Sequence, residues 1–392
     1  MRPLWIIIVA GGTIVGLAVG FRQSMGLFLP AISADLGIGR ESFALGMGLM
    51  NLVWGLGAPL AGALADRHGA GRVTAAGGIC YAAGLLALTG SGDGGQLLLG
   101  GALIGLGLSG AGYTFILGTG GRLTPPESRG RALGLVAMGG SIGQFAALPY
   151  AQVLIGGFGW GVSLIVLAIS ALLIVPLAAG IAGRPHIEGT AAAQSMGEAF
   201  AEAWGDRNFW LLNAGFFVCG FHLAFIAIHL PGFLADKGFQ PWLAATALTL
   251  VGICNIAGSY VCAAMGERFR KKSVLSVLYL ARAAIFALFL AVPVSEYSVM
   301  AFAAAMGFLW LGTVPLTSGI VAARWGTAYM SMIFGMVFFG HQVGGFLGAW
   351  LAGRAYDALG GYDAMWWVCI GLGILSALLH WPIAERPMRV AA

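Results

Sequence analysis

Apolar runs near 20 residues long recur along the whole chain, separated by short polar stretches, and each is long enough to cross a hydrocarbon core of about 30 Å. They fall at 4–31, 42–65, 73–91, 95–121, 132–155, 159–182, 208–235, 242–265, 273–293, 297–322, 328–353 and 363–383. Backbone polar groups must be satisfied within the segment when lipid surrounds it, so each run predicts a helix. The pattern predicts an all-α membrane protein of twelve transmembrane helices, with no room for a soluble domain.

Composition agrees. Of 392 residues, 59% are apolar and 9% are charged, against roughly 25% charged for a soluble domain. The net charge of +5 brings nucleic acid to mind, but the positions of the basic residues matter more than their sum. With a cytoplasmic N-terminus, Arg2, Arg67, Arg72, Arg122, Arg129, Arg131, Arg184, Arg207, Arg268, Arg270, Lys271, Lys272, Arg324, Arg386 and Arg389 fall inside; Arg40, Lys237 and Arg354 fall outside. Fifteen against three orients the chain with both termini cytoplasmic. Arg2 before an apolar run suits a signal peptide, but the run is long and no small-residue cleavage site interrupts it before Arg22. Cys80, Cys219, Cys254, Cys262 and Cys369 all lie within predicted spans without a CxxC pair, and read as small core residues rather than disulfides or a metal site.

The chain repeats itself. Pro30 and Ala34-Asp35 are answered by Pro231 and Ala235-Asp236, and Asp66-Arg67 by Glu267-Arg268, all at an offset of 201. Two six-helix halves follow, 1–182 and 208–392, with a cytoplasmic linker over 183–207. Such parallel repeats place a transport site between the halves near the bilayer midplane. The linker stretch AAAQSMGEAFAEAW predicts a short amphipathic helix on the membrane surface. Gly12, Gly16 and Gly20, and again Gly340, Gly344 and Gly348, recur every fourth residue and predict close helix packing. Gly105, Gly107 and Gly110 spell GxGxxG, but inside an apolar span with no preceding strand, so a dinucleotide site is not expected; no cofactor or metal is.

The chemistry-bearing stretch is GFRQSMGLFLP from Gly20 to Pro30. Arg22 is a permanent cation in the middle of the first span, where such a charge costs about 2.5–3.5 kcal/mol even on lenient insertion scales. All fifteen acidic residues, from Asp35 to Glu385, fall in loops or at helix ends. Arg22 and Arg282 are thus interior cations without an interior carboxylate. Because buried unpaired charge is costly, a mobile anion is the expected partner.

Helix 2 ends in GALADRHGAGRV, with Gly62, Asp66, Arg67, Gly69 and Arg72. This resembles the GxLaDRxGrrxx signature of the major facilitator superfamily, in the loop where that family has it. The resemblance implies two pseudo-symmetric six-helix bundles (the major facilitator fold), and a latch in which Asp66, Arg67, Arg72, Glu267 and Arg268 pair across the bundle in one conformation and release in the other. GFRQSMGLFLP, the entry to helix 5 from Ser128 and the helix 11 segment FGMVFFGHQVGGFLGAWLAGRAYDALGGYDAMWW resemble the monocarboxylate transporter and oxalate:formate antiporter group. Family members often carry Lys where Arg22 stands, the charge thought to hold the substrate carboxylate. The animal-type pattern also has an Asp and an Arg in helix 8. This chain has no charge between Trp242 and Met265, so that proton relay does not carry over.

The expected substrate-binding set is Arg22, Asn51, Trp54, Tyr113, Gln144, Asn255, Arg282, Phe338, His341 and Gln342, with Phe115 as a further wall residue. Donors among them suit a carboxylate or 2-hydroxyl, and aromatic rings wall an apolar tail. For Arg282 a hydrogen bond to the backbone or Tyr279 is the alternative. His341, or failing it His222 or His229, is expected to carry a proton. The leading expectation is proton-coupled symport of a lactate-like 2-hydroxy or 2-oxo monocarboxylate through the inner membrane of a bacterium, by a monomer working with proton and lipid and no nucleic acid. Dicarboxylate/monocarboxylate exchange by a two-arginine clamp is the alternative. Drug efflux and a non-transporting receptor fit less well, and an enzyme is not expected.

Overall fold

The structure is a computed structural model and describes residues 3–90, 94–124, 126–182, 195–326 and 329–388. The helices in chain order are α1 (Leu4–Leu36), α2 (Arg40–His68), α3 (Ala70–Thr89), α4 (Gly94–Ala111), α5 (Tyr113–Leu123), α6 (Pro126–Ala171), α7 (Ile174–Leu177), α8 (Met196–Gly205), α9 (Arg207–Asp236), α10 (Pro241–Arg268), α11 (Lys271–Ala291), α12 (Glu296–Phe308), α13 (Thr313–Trp325), α14 (Met330–Leu359) and α15 (Asp363–His380).

Among the described residues, eleven helical stretches are long and apolar enough to cross a membrane, and one of them crosses twice; α8 is not among them. One apolar helical stretch runs over Arg131–Ile181, 51 residues, about 76 Å at 1.5 Å per residue. That is more than twice a hydrocarbon core, so the stretch must fold back. It does so at Gly159, whose φ of 77° is open to glycine without steric cost. The expected spans 132–155 and 159–182 meet at this residue. The fourth and tenth crossings are each broken in mid-course, giving the pairs α4/α5 and α12/α13.

The predicted linker helix is present as α8, started by a capping box in which Ser195 and Glu198 each accept from the other's backbone N–H. Residues 183–194 of the linker, with His186 and Glu188, lie outside the described residues.

Glycine sets the helix spacing. A methyl group added at Gly16 of α1 would lie 2.9 Å from the Gly139 carbonyl oxygen of α6, and one at Gly20 would lie 2.5 Å from that of Gly143. Gly344 and Gly348 of α14 bring that helix onto the Phe217 and Phe221 carbonyls of α9. The GxGxxG glycines serve the same end: Gly105 meets Met50 of α2, while Gly107 and Gly110 meet Tyr81 and Val73 of α3. Small residues are how helices approach where water supplies no driving force between them.

The outward surface carries large apolar side chains, among them Leu60, Val153, Leu288 and Trp367. An open apolar groove of about 740 Å³ between α1 and α6, lined by Ile8, Val9, Leu135, Met138 and Ile142, belongs to this lipid-facing surface. The two halves meet where α1 packs on α9, α2 on α14 and α6 on α10.

Candidate functional site

Arg22 lies in the middle of α1, on the side turned toward α2. Its Nη2 donates to Asn51 Oδ1 at 2.8 Å, and Asn51 is itself held by donating Nδ2 to the Met47 carbonyl at 3.0 Å. The guanidinium stands 5.4 Å from the ring centre of Trp54, one turn along α2 from Asn51. A neutral amide and an indole face orient this cation without cancelling it.

The other half completes the group through α14. Trp54 meets Phe338 edge to face at 5.4 Å, and Phe338 stacks on His341 at 5.6 Å and 7°. His341 Nδ1 pairs with Gln342 Oε1 at 3.1 Å, and the Gln342 stem packs over Gly55 of α2. Gly345 leaves room for Asn51. Six expected residues, Arg22, Asn51, Trp54, Phe338, His341 and Gln342, therefore form one contact chain across the junction of the halves. Arg22 Nε, Trp54 Nε1 and Gln342 Nε2 are buried donors without an acceptor. Tyr113 borders the group at the α4/α5 break, where the preceding Gly112 faces Trp54 and its own ring faces Gly140 of α6. Phe115, two residues further along α5, is buried. Gln144 is buried on α6 with its stem against Gly252 of α10.

Arg282 and Asn255 are placed differently from the expectation of substrate contact. Arg282 Nη2 donates at 2.6 Å to the carbonyls of both Leu309 and Trp310, and its guanidinium stands 5.3 Å from the Tyr279 ring centre. Asn255 Oδ1 accepts from the Leu311 backbone N–H at 3.0 Å and from Ser259 Oγ at 3.0 Å. Both side chains thus serve backbone groups freed where α12 gives way to α13. Unpaired backbone groups inside a bundle are costly, so the break itself explains these polar residues. The alternative foreseen for Arg282, a backbone bond, matches this geometry.

The two histidines of α9 are committed as well. His222 Nε2 meets the Cys369 carbonyl at 2.9 Å. His229 uses both nitrogens, Nε2 on the Ala349 carbonyl at 2.8 Å and Nδ1 on the Tyr362 hydroxyl at 3.1 Å. Burial pushes the Tyr362 hydroxyl up, against a smaller opposing pull from Arg40, so it keeps its proton and donates it to His229 Nδ1. These bonds run to α14, α15 and the turn between them.

At one end of the molecule charges from both halves bind one another. Arg40, at the start of α2, pairs with Asp236 at the end of α9, Nη2 to Oδ1 at 2.5 Å. Its Nη1 also donates to Asp236 Oδ2 at 2.8 Å and to Tyr362 Oη at 2.9 Å. Asp357 of α14 caps α2 by accepting from the backbone N–H groups of Arg40 and Glu41 at 3.0 and 2.8 Å, where a carboxylate complements the helix dipole. Trp350 Nε1 donates to Glu41 at 2.8 Å. At the opposite end Asp66, Arg67, Arg72, Glu267 and Arg268, the expected latch, are exposed at their helix ends.

Residues 11–349 match the sequence model of the Major Facilitator Superfamily. The chain belongs to that superfamily. It is 24% identical to the MFS-type transporter YcxA of Bacillus subtilis (strain 168), over 92% of this chain and 90% of the relative. It is 26% identical to monocarboxylate transporter 13 of Rattus norvegicus, over 96% and 89%. A solved bacterial homologue of the human lysosomal transporter Spinster, in an inward-facing and occupied conformation, superposes with a TM-score of 0.74 at 16% identity, covering 96% of this chain and 95% of that one. The protein is therefore a multi-pass membrane transporter with a small-molecule substrate, not an enzyme. Within that superfamily fold the Arg22 group lies where α1 and α2 meet α14, and the Arg40 cluster ties the two halves together at one end.

Proposed function

We propose that this transporter carries small organic anions, with a lactate-like 2-hydroxy or 2-oxo monocarboxylate as the substrate class and Arg22 as the group that receives its carboxylate. The observation that carries the reading is a cation in mid-helix, bonded to a neutral amide, beside buried donors that lack acceptors. An arriving carboxylate supplies acceptors and a countercharge together, and charge-assisted bonds of this kind are about twice as strong as neutral ones. Trp54 and Phe338 present apolar faces to a short carbon chain. A dicarboxylate clamp would need a second guanidinium at the same place, and Arg282 is engaged by the Leu309 and Trp310 carbonyls instead.

Transport is by alternating access in this reading, with residues 1–182 and 208–392 as the two moving halves and 183–207 joining them; the contacts of α2 with α14 support it. Closure by Arg40, Asp236 and Asp357 blocks the end that the positive-inside distribution assigns to the exterior, so the state described faces the cytoplasm. Asp66, Arg67, Arg72, Glu267 and Arg268, exposed at the opposite end, are the candidate latch of that end. On the same reasoning both termini are cytoplasmic, and relatives such as YcxA of Bacillus subtilis (strain 168) favour a bacterial inner (cytoplasmic) membrane.

Moving a monoanion against an inside-negative potential costs about 2.3 kcal/mol per 100 mV. Carriage of one proton with it makes the step electroneutral. His341 is the proton carrier in this scheme, because it contacts Phe338 and Gln342 within the Arg22 group while His222 and His229 are bonded elsewhere. The test is uptake of a panel of labelled small carboxylates into liposomes holding the purified protein, with and without an inward proton gradient. Uptake of a monocarboxylate accelerated by the gradient supports the proposal; uptake driven only by a preloaded dicarboxylate points to exchange and refutes it.

A further inference from the structure

The residues of α14 that meet α2 follow one helical stripe. Phe338 touches Trp54, the Gln342 stem packs over Gly55, Gly345 faces Asn51 and Phe346 covers Gly48. Positions 338, 342, 345 and 346 share a helix face. Gln342 thus lies between Phe338 and Gly345, whose partners on α2 are the two residues that touch the guanidinium: Trp54 at 5.4 Å and Asn51, bonded at 2.8 Å. Arg22 comes from the first half of the chain and Gln342 from the second.

The Gln342 side chain is wholly buried, and the two ends of its amide are unequally served. Oε1 lies 3.1 Å from His341 Nδ1. An amide oxygen only accepts, so the ring nitrogen donates and the amide is held with Nε2 turned away from the ring. Nε2 has no acceptor. A buried donor left unpaired is costly, and an apolar side chain of similar length would fill this position without that cost. The other amide of the group, Asn51, has its Nδ2 engaged by the Met47 carbonyl. Trp54 Nε1 also lacks an acceptor, but it lies on the first-half side, 3.1 Å from where a methyl group on Gly112 would stand.

We propose, resting on Arg22 as the receiver of the carboxylate, that Gln342 Nε2 donates to the oxygen on C2 of the solute and so selects 2-oxo and 2-hydroxy acids. That oxygen is carried by the carbon next to the carboxyl group, so the two donors address adjacent positions of one small molecule. A 2-oxo group only accepts and a 2-hydroxyl accepts as well as donates, so one donor serves both. An unsubstituted acid leaves the amide unpaired. The solute is gripped from α1 at its carboxylate and from α14 at C2, one contact from each half.

Isothermal titration of the purified full-length protein with pyruvate, lactate and propionate tests this, since the three differ at C2 alone. Wild type is expected to bind pyruvate and lactate about tenfold more tightly than propionate. Gln342→Met, of similar length but without a donor, is expected to bring that ratio close to one. If this variant does not fold, Gln342→Asn, which keeps an amide but withdraws it by one methylene, is expected to lower the ratio in the same direction. A preference that survives the substitution, or equal affinity of wild type for all three acids, overturns the role of Gln342; loss of all binding in Arg22→Gln then still upholds the carboxylate site. Failure of wild type to bind any of the three removes the reading of Arg22, and that of Gln342 with it.

Discussion

Arg22 and Asn51 join the first two helices by one hydrogen bond of 2.8 Å, and the bond leaves the guanidinium with its charge intact. Asn51 fixes the position of the cation while its own amide is anchored to Met47. The proposed carboxylate site is thus pre-positioned before any solute arrives, which lowers the ordering cost of binding.

Replacing Arg22 tests the site directly. Hydrogen bonds to charged groups are worth about 1.5–3 kcal/mol each, so Arg22→Gln is expected to weaken carboxylate binding by roughly ten- to a hundredfold or more and to abolish uptake. Arg22→Lys keeps a point charge without the planar fork and is expected to retain part of the activity. Wild-type uptake by Arg22→Gln in liposomes would remove Arg22 from the site.

His341→Gln preserves hydrogen bonding toward Gln342 while eliminating a titratable ring. Uptake by this variant is expected to lose its acceleration by a proton gradient, whereas counterflow between equal carboxylate pools persists. An unchanged pH profile takes His341 out of the coupling scheme.

The Arg40–Asp236 pair is partly exposed, at 12% and 33% of the side-chain surface, which limits it to about 1 kcal/mol or less as an isolated pair. Arg40 also holds Tyr362, so Arg40→Ala removes more than Asp236→Asn does. Spin labels on the adjoining ends of α2 and α9 are expected to report a larger fraction of widely separated molecules in Arg40→Ala than in Asp236→Asn, and the smallest fraction in wild type. Identical distance distributions in all three proteins contradict a gating role.

Asp206 caps α9 by accepting from the Asn208 backbone N–H at 2.9 Å, and it pairs with Arg324 at the end of α13. Burial alone pushes its carboxyl up, but Arg324 and Asn208 outweigh that and hold it below its ordinary value. A depressed carboxylate contributes stability that is present above its unfolded pKa and is lost as pH falls through the folded one. Wild-type thermal stability in detergent should therefore fall on acidification below the ordinary carboxylate range. Asp206→Asn is expected to be less stable by about 1.5–3 kcal/mol near neutrality and to lack that acid-sensitive component. A parallel acid decline in both proteins argues against this pair as its origin.

The packing of α1 on α6 gives a further prediction. A side chain at Gly143 would be driven into the Gly16 backbone, and overpacking typically costs about 1–3 kcal/mol, so Gly143→Val is expected to lower the unfolding temperature. Gly134, on the same helix, has nothing within 4 Å of an added methyl group, and Gly134→Ala serves as the neutral control. Equal unfolding temperatures for the two variants would falsify the proposed seam.

Much of this was legible in the sequence, for a physical reason. Lipid forces helices to be long and apolar, so the crossings could be read to within a few residues, and the boundary expected between 155 and 159 falls at the Gly159 fold-back. Arg22 stood out because a charge in such a run has to be explained. Asn51, Trp54, Phe338, His341 and Gln342 could be nominated as polar or aromatic residues in mid-span, but only the packing of α2 on α14 shows that they touch. Arg282 and Asn255 carried the same outward sign and have a different task. Their backbone partners arise at the α12/α13 break, which an uninterrupted apolar stretch conceals. Arg40 was counted with the loop charges because its partner Asp236 is 196 positions away.

The closure built from Arg40, Asp236, Glu41 and Asp357 contains no group borrowed from the solute and sits beside the aqueous medium. Mobile ions in that medium screen exposed charges over about 10 Å at 0.1 M salt, while the Arg22 group is sheltered from them. External salt thereby acts as a bias on which way the empty carrier points, separable from any effect on how tightly cargo is held.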